Sequence, residues 1–445
     1  MESPPRDGQV SAEPTGSALV SRACKLPDCD PRPFLAGRDA PRIYWTSPYG
    51  SEIAGGGTAA RIAADGPDRF ERIRTAADDL FGGLDYEGPE SARPRLFGGF
   101  SFHHAHDPAP PWQGFGGAEF VLPRTQLTRA NGETWLTVSA RGAPAADVES
   151  ELAEVRDALD RTSVPSDPGP PGVATTEPTT TREEWARQVR TAVERIERGD
   201  LRKVTLAQAL SAELIDEISI PDALARLGES YPDCFRFLFE PTTEAAFFGA
   251  TPERLATLRG GTVETDALAG SVGRGDTPEE DAELEASIRN SEKMDLEHEL
   301  VVETVRDQLA PLSETVRVAD RRVRKLATIQ HLWTPIEADL PESGHVLSIV
   351  EALPPTPAVG GLPPEEALRT ITETETFDRG WYAAPVGWFD AAGDGTFAVG
   401  IRSAVARDRS ATLFAGNGIV ADSDPDEEYE EVQLKYRPIL DELER

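Results

Sequence analysis

The segment from Arg161 to Thr181 carries Pro165, Pro168, Pro170, Pro171 and Pro178 with Gly169 and Gly172 between them, and it constrains the fold more than any other stretch. Proline fixes φ and lacks an N–H, so no helix and no inner strand continues through prolines at this density. The segment reads as a linker or long loop. Before it, β-rich runs at 95–102, 120–122 and 134–138 predict strands, and the amphipathic stretch 146–159 predicts a helix. After it, Thr181-Arg-Glu-Glu184 matches a capping box, and Trp185, Val189, Val193 and Ile196 follow at helical spacing until Gly199. A strand is predicted from Lys203, with others at 235–239, 246–250, 254–258 and 262–268, the last two joined by the hairpin turn Gly260-Gly261. Long helices at 279–310 and 363–376 and strands near 384–390, 396–402 and 411–415 complete the pattern. It predicts an α/β (α+β) chain of antiparallel sheets flanked by helices. With 445 residues, two or three structural units are expected: a loose arm over 1–30, rich in Pro, Gly and Ser, a first half over 31–160, the Pro/Thr-rich segment 161–181, and a second part over 182–445.

Acidic residues outnumber basic ones 78 to 45, for a formal net charge of −33. Such a surface repels nucleic-acid phosphates and anionic membranes, so neither is expected as a partner. Five of the basic residues are lysine (Lys25, Lys203, Lys293, Lys325 and Lys435) and the rest arginine. An acidic, lysine-poor composition resembles proteins of salt-loving archaea, where concentrated salt screens the self-repulsion. Cys24, Cys29 and Cys234 are an odd number in a long chain and predict no disulfide framework. The N-terminus has neither the basic nor the apolar region of a signal peptide, and no apolar run reaches membrane-spanning length, so a cytoplasmic protein is expected.

Several side chains break the local pattern. Met294, Val301, Val305 and Leu309 form one apolar helical stripe, and Glu297 occupies the position missing from it. A carboxylate on an apolar face needs a cationic partner or a bound cation. Near the C-terminus, Glu428, Glu431 and Lys435 stand at i, i+3 and i+7 on a helix opened by Pro425, beside an apolar face of Tyr429, Val432, Tyr436 and Ile439. Glu297 and Glu431 on the buried sides of two distant helices would make a hard oxygen site suited to Mg²⁺ and a carboxylate ligand. Thr251-Pro252-Glu253 presents Glu253 at a rigid corner beside Phe247 and Phe248, where burial would keep it protonated, although the tripeptide by itself fits a plain β-turn residue better. His103, His104 and His106 suggest a metal-dependent hydrolase as a rival reading, but adjacent histidines match no spaced zinc motif and a polar loop fits them better. Gly55-Gly-Gly-Thr58 lacks the lysine and spacing of a phosphate loop.

Nine segments in order resemble the chorismate-utilising enzymes, specifically the isochorismate synthases. They run from Gly199-Asp-Leu-Arg-Lys203, Phe248-Gly-Ala-Thr-Pro-Glu253, Ala267-Leu-Ala-Gly270-Ser271, Ser291-Glu-Lys-Met-Asp-Leu-Glu297 and Gln330-His331 to Thr356-Pro-Ala-Val-Gly-Gly361, Phe377-Asp-Arg-Gly-Trp-Tyr382, Gly400-Ile-Arg402 and Ala415-Gly-Asn-Gly418 through Lys435. The N-terminal half matches chiefly through Phe97-Gly-Gly-Phe-Ser-Phe102. The resemblance implies one intertwined fold, with 161–181 a loop crossing it and 182–445 the chorismate-binding core. It implies that Lys203 is the general base activating a water for attack at C2 of chorismate, and that Glu253 is the acid protonating the departing C4 hydroxyl. Glu297 and Glu431 would hold Mg²⁺ on the ring carboxylate, supported by Glu428. Gly270, Ser271, Gly418 and Lys435 would cradle that carboxylate, Tyr382 and Arg402 would bind the enolpyruvyl carboxylate, and His331 would line the site. Relatives that use ammonia usually lack the lysine, so Lys203 implies water as nucleophile and no glutaminase subunit. The product would serve menaquinone or siderophore synthesis; salicylate synthases, which go on to eliminate pyruvate, share the lysine and are the near alternative. Two positions depart from the family pattern: Met294, where relatives carry an acidic or polar residue, and Asn417 inside the usual Ala-Gly-Ala-Gly segment.

Overall fold

The protein is described by a computed structural model over residues 18–444, apart from 49, 160–166, 326–328 and 342–343; the side chains of Ser271, Lys293 and Ile329 also lie outside the described part. The described strands form two sheets, of 13 and 10 strands. In the larger, Lys203–Leu214, Ser410–Ile419, Ser403–Arg407, Ala245–Thr251 and Phe235–Thr242 lie side by side and continue through Arg42–Thr46, Glu52–Gly56, Thr125–Ala130, Glu133–Arg141 and Leu19–Leu26. In the smaller, Ile329–Asp339, Thr262–Gly273, Arg254–Arg259, Gly395–Val399 and Pro385–Asp390 continue through Arg95–Phe100, Ala118–Leu122 and Ala60–Ala64. Both sheets therefore draw strands from either side of the proline-rich segment, and the expectation of separate units gives way to one intertwined α/β fold.

Side-chain alternation positions the core. Phe235, Phe237 and Phe239 point to the face toward the second sheet, with Trp45 and Phe247, whereas Leu238, Phe248, Val204 and Leu206 point to the opposite face, where helices cover them. The inter-sheet wall is aromatic: Trp381 stacks on Phe239 with centroids 5.1 Å apart, and Trp112 stacks on Phe414 at 5.2 Å. On the outer face of the larger sheet lie helices Arg182–Glu197 and Pro425–Leu443. The first is held by the expected capping box, Thr181 and Glu184 each satisfying the other's backbone N–H, and Trp185 is fully buried beneath it. The predicted hairpin is present: Arg259 pairs with Thr262 across Gly260 and Gly261, at φ +55° and +87°, as a two-residue turn between right-twisting strands requires.

Several expectations are corrected. The loose arm does not extend to residue 30, because Leu19–Leu26 pairs along its full length with Glu133–Arg141 and also with Asp85–Glu87; residues 1–17 lie outside the described part. The Pro/Thr-rich segment is not all loop: Val173–Pro178 forms an edge strand on Lys203–Leu214, where Pro178 at its end leaves no inner ladder donor missing. The single helix over 279–310 is two, Pro278–Arg289 and Glu292–Leu309, because Ser291 caps the second by accepting from the Met294 N–H. The strand expected over 396–402 stops at Val399, and Arg402 lies outside it in the left-handed region at φ +50°. Among the described residues no helix is long and apolar enough to cross a membrane.

Candidate active site

Lys203 opens a strand that enters the larger sheet between Gly361–Leu362 and Ser410–Ile419. The next residue on its face, Thr205, pairs with Gly418. That glycine makes room for the lysine: a Cβ at position 418 would stand 2.5 Å from Lys203 Cε. The colliding atom is the far end of a flexible chain, so Gly418→Ala should fold with a melting temperature close to that of the unsubstituted protein while displacing the ammonium. A drop in kcat of about 30-fold is expected from a shift of this size; steady-state kinetics beside a thermal melt checks it.

Glu253 follows Pro252 at the end of Ala245–Thr251, where proline turns the chain out of the ladder. The Glu253 N–H donates to Thr251 Oγ1 at 3.2 Å, and its carbonyl accepts from Val399 at 3.0 Å, fixing the corner. Burial pushes its carboxyl up to about 7, against the pull of the Lys203 ammonium, with Asp266 pushing the same way as burial. Lys203 shifts downward, again chiefly by burial, while Glu297, Glu253, Glu428 and Glu431 hold it back. The two groups face one cavity of about 760 Å³, a volume suited to a small organic ligand.

Helix Glu292–Leu309 brings Glu297 to the same cavity, while Val301, Val305 and Leu309 of its stripe are buried as expected. Helix Pro425–Leu443 adds Glu428, Glu431 and Lys435. Glu431 was expected on a buried side, but its side chain is 53% exposed at the cavity and pairs with Lys435 at 2.8 Å. Glu428 accepts from Ser423 Oγ at 2.6 Å and Asn417 Nδ2 at 2.8 Å, and burial raises its pKa. Asn417 also accepts from Lys435 Nζ, so this departure from the family pattern ties the acid and the base of one helix together. Met294, the other departure, lies against Gly270 on the cavity wall. Among the described residues no three acidic, histidine or cysteine side chains converge into a ready-made metal cage.

Cations line the same cavity. Arg402 lines the cavity, held by donation from Nη1 to the Lys435 carbonyl at 3.1 Å, and burial lowers its pKa. Its left-handed backbone is matched by Ala383 at φ +60°, whose N–H donates to Gly400 at 3.0 Å. Two non-glycine residues in this region on facing segments mark a site held by its surroundings against local preference. His331 lines the cavity as a neutral ring, its pKa lowered to about 3 by burial with Arg402, Lys435 and Arg324 adding to it. Gly270 lines the wall at a bulge of Thr262–Gly273; Ser271 follows it in the strand, and its side chain lies outside the described part. Tyr382 is not on the wall: it is 4% exposed and stacks behind Phe414, which is on the wall, with ring centroids 5.3 Å apart. Arg324, from the short strand Arg322–Lys325 beside His331, is a wall residue that sequence reasoning missed, since nothing in Arg-Val-Arg-Lys separates it from its neighbours. The histidine cluster lies elsewhere: the His106 ring contacts Asp378 at 2.9 Å and the Phe115 carbonyl at 3.0 Å, leaving neither nitrogen for a metal.

An acid and a base with oppositely shifted pKa values, in a cavity lined by both carboxylates and cations, define an enzyme that moves protons on a small carboxylate-bearing substrate. The comparisons agree. The family described as "Chorismate binding enzyme" matches residues 9–444, and the chain belongs to it. The salicylate biosynthesis isochorismate synthase of Pseudomonas aeruginosa is 36% identical over 442 residues, covering 96% of this chain and 90% of that one. Isochorismate synthase MenF of Bacillus subtilis is 32% identical over 443 residues, covering 96% and 94%. The solved structure of MenF, the menaquinone-specific isochorismate synthase from Escherichia coli, superposes with a TM-score of 0.82 at 25% identity, covering 97% of this chain and 96% of that one.

Proposed function

We propose that the protein is an isochorismate synthase, converting chorismate to isochorismate. The observation that carries this reading is the placement of Lys203 and Glu253 in one cavity with pKa values pushed in opposite directions. Neutral Lys203 takes a proton from a water as its oxygen bonds to C2 of the substrate ring. The ring double bond shifts, the C4–O bond breaks, and protonated Glu253 gives its proton to the leaving hydroxyl, so one water enters and one departs. Lysine acts as a base in its neutral form, and burial shifts Lys203 in that direction. Arg402 and Lys435 supply charge for the two substrate carboxylates, with Gly270, Ser271, Gly418 and His331 shaping the pocket and Tyr382 supporting it through Phe414. With water as the nucleophile, no ammonia-delivering glutaminase subunit takes part.

Mg²⁺ fits the donor set, since hard carboxylate oxygens from two helices face one cavity and this ion keeps waters and takes few protein ligands. Glu297 and Glu431 would hold it, with Glu428 supporting, and when bound it would neutralise the substrate's ring carboxylate. The product feeds menaquinone or siderophore synthesis, in keeping with relatives named for salicylate biosynthesis and for menaquinone. The protein is taken to work in a cytoplasm, and its net charge of −33 supports assay at molar potassium chloride. Chorismate with MgCl2 should yield isochorismate by chromatography without salicylate or pyruvate. EDTA should lower the rate by about 100-fold, with recovery on adding Mg²⁺. Accumulation of salicylate and pyruvate would assign the protein to the salicylate synthases instead.

A further inference from the structure

The strand that carries Lys203 has an incomplete edge. On one side Ser410–Ile419 pairs with it from Val204 onward. On the other, Gly361–Leu362 pairs only with Lys203 and Val204, and Val173–Pro178 begins only at Leu210. Between them the outward backbone groups of Thr205 and Ala207 face a side with no strand. Thr205 N–H donates to the Gly360 carbonyl at 2.8 Å. Two side chains meet two more of these groups: Arg379 Nη2 donates to the Thr205 carbonyl at 2.7 Å, and Glu375 Oε1 accepts from the Ala207 N–H at 2.8 Å. Arg379 also donates through Nη1 to the Val359 carbonyl at 2.9 Å and through Nε to Glu375 Oε2 at 2.8 Å, and its guanidinium lies 4.4 Å from the centre of the Phe102 ring. Both side chains are 3% exposed.

An ion pair this buried is a poor source of stability, because desolvating both charges offsets their attraction, and its best-attested use is to fix one arrangement. Here the hydrogen bonds given above from the pair to other residues end on Thr205 and Ala207 of the Lys203 strand or on Val359 of the loop packed beside it. We infer that Glu375 and Arg379 are positioning residues for Lys203, standing in for the missing strand so that the base is held at a fixed height in the cavity. Neither lines the cavity, so neither is a catalytic residue. The kinetic consequence rests on the isochorismate synthase reading; the structural grip does not.

The test compares Arg379→Gln, Arg379→Lys and Glu375→Gln with Val148→Ala, a buried residue on helix Ala145–Leu159 that packs far along the larger sheet, against Leu19–Leu26 and Glu133–Arg141. Arg379→Gln should lower kcat by about 100-fold, the loss that follows a misplaced catalytic group, with KM for chorismate changed by less than about threefold. Arg379→Lys keeps the charge but not the planar fork, and should lose about tenfold in kcat. The Arg379→Gln/Glu375→Gln double variant should lose little more than Arg379→Gln alone, as two members of one unit do. Val148→Ala should lower the melting temperature and leave kcat unchanged. Amide hydrogen exchange over residues 203–209, which needs no substrate, should speed up in the Arg379 variants and not in Val148→Ala. Unchanged exchange there, or folded Arg379 variants with unchanged kcat or a loss carried by KM alone, overturns the inference. An unsubstituted protein that leaves chorismate intact while the exchange result holds overturns the functional reading and not the grip. If Arg379→Gln does not fold, Arg379→Lys carries the same comparison.

Discussion

Lys203→Ala is expected to lower kcat by about 10⁴-fold while the protein still binds chorismate, the upper range for losing a positioned general base. The groups proposed to grip the substrate carboxylates, Arg402 and Lys435, come from other segments and keep their own supports, the Lys435 carbonyl for Arg402 and Glu431 with the Gly416 carbonyl for Lys435. The dissociation constant measured by calorimetry should therefore stay within about tenfold, and the loss should sit in kcat. Lys203 is also the strongest charge acting against burial on Glu253. Its removal pushes the Glu253 carboxyl further up, so the acid stays protonated and the base alone is missing. Turnover within tenfold of the unsubstituted protein would end the general-base assignment.

Glu253→Gln should cost about 10³-fold in kcat, since an amide of the same shape holds the pocket but gives no proton to the leaving hydroxyl. Two pH measurements separate this role from packing. In the unsubstituted protein kcat/KM should fall on the alkaline side as Glu253 loses its proton, and on the acid side as Lys203 gains one. Glu253→Gln should lose the alkaline limb. The stability effect has the opposite sign. The folded pKa, about 7, lies above the ordinary value of 4.5, so the unfolded chain releases this proton first and the fold loses stability as pH rises from about 4.5 to 7. Gln escapes that loss, so Glu253→Gln should melt higher than the unsubstituted protein at pH 8 and not at pH 4. An unchanged alkaline limb in the variant would remove Glu253 from the acid role.

Much of this site was legible before any fold. Glu297 and the Glu428, Glu431, Lys435 set stood out because helical periodicity assigns a face to each residue, and charge on or beside an apolar face needs a reason. The capping box at Thr181 and the Gly260-Gly261 turn were legible because they are local hydrogen-bond and dihedral requirements. What periodicity could not give is depth. Glu431 lies on the face of Lys435 yet is half exposed at the cavity, and Tyr382 lies behind Phe414, a neighbour distant in sequence. The strand Leu19–Leu26 was hidden because its ladder partners lie far along the chain, at Asp85–Glu87 and at Glu133–Arg141.

The sequence by itself determined which candidate residues stand out from their local pattern and which local elements hold them. A lysine at a strand start, a glutamate after Thr-Pro and acids at helical spacing express requirements met within a few residues. Only the tertiary structure decided that Lys203 and Glu253 share a cavity, that burial drives their pKa values in opposite directions, and that Glu375 and Arg379 complete the edge of the Lys203 strand. Desolvation and sheet completion are set by what surrounds a group in three dimensions, and those surroundings come from segments on both sides of the proline-rich stretch.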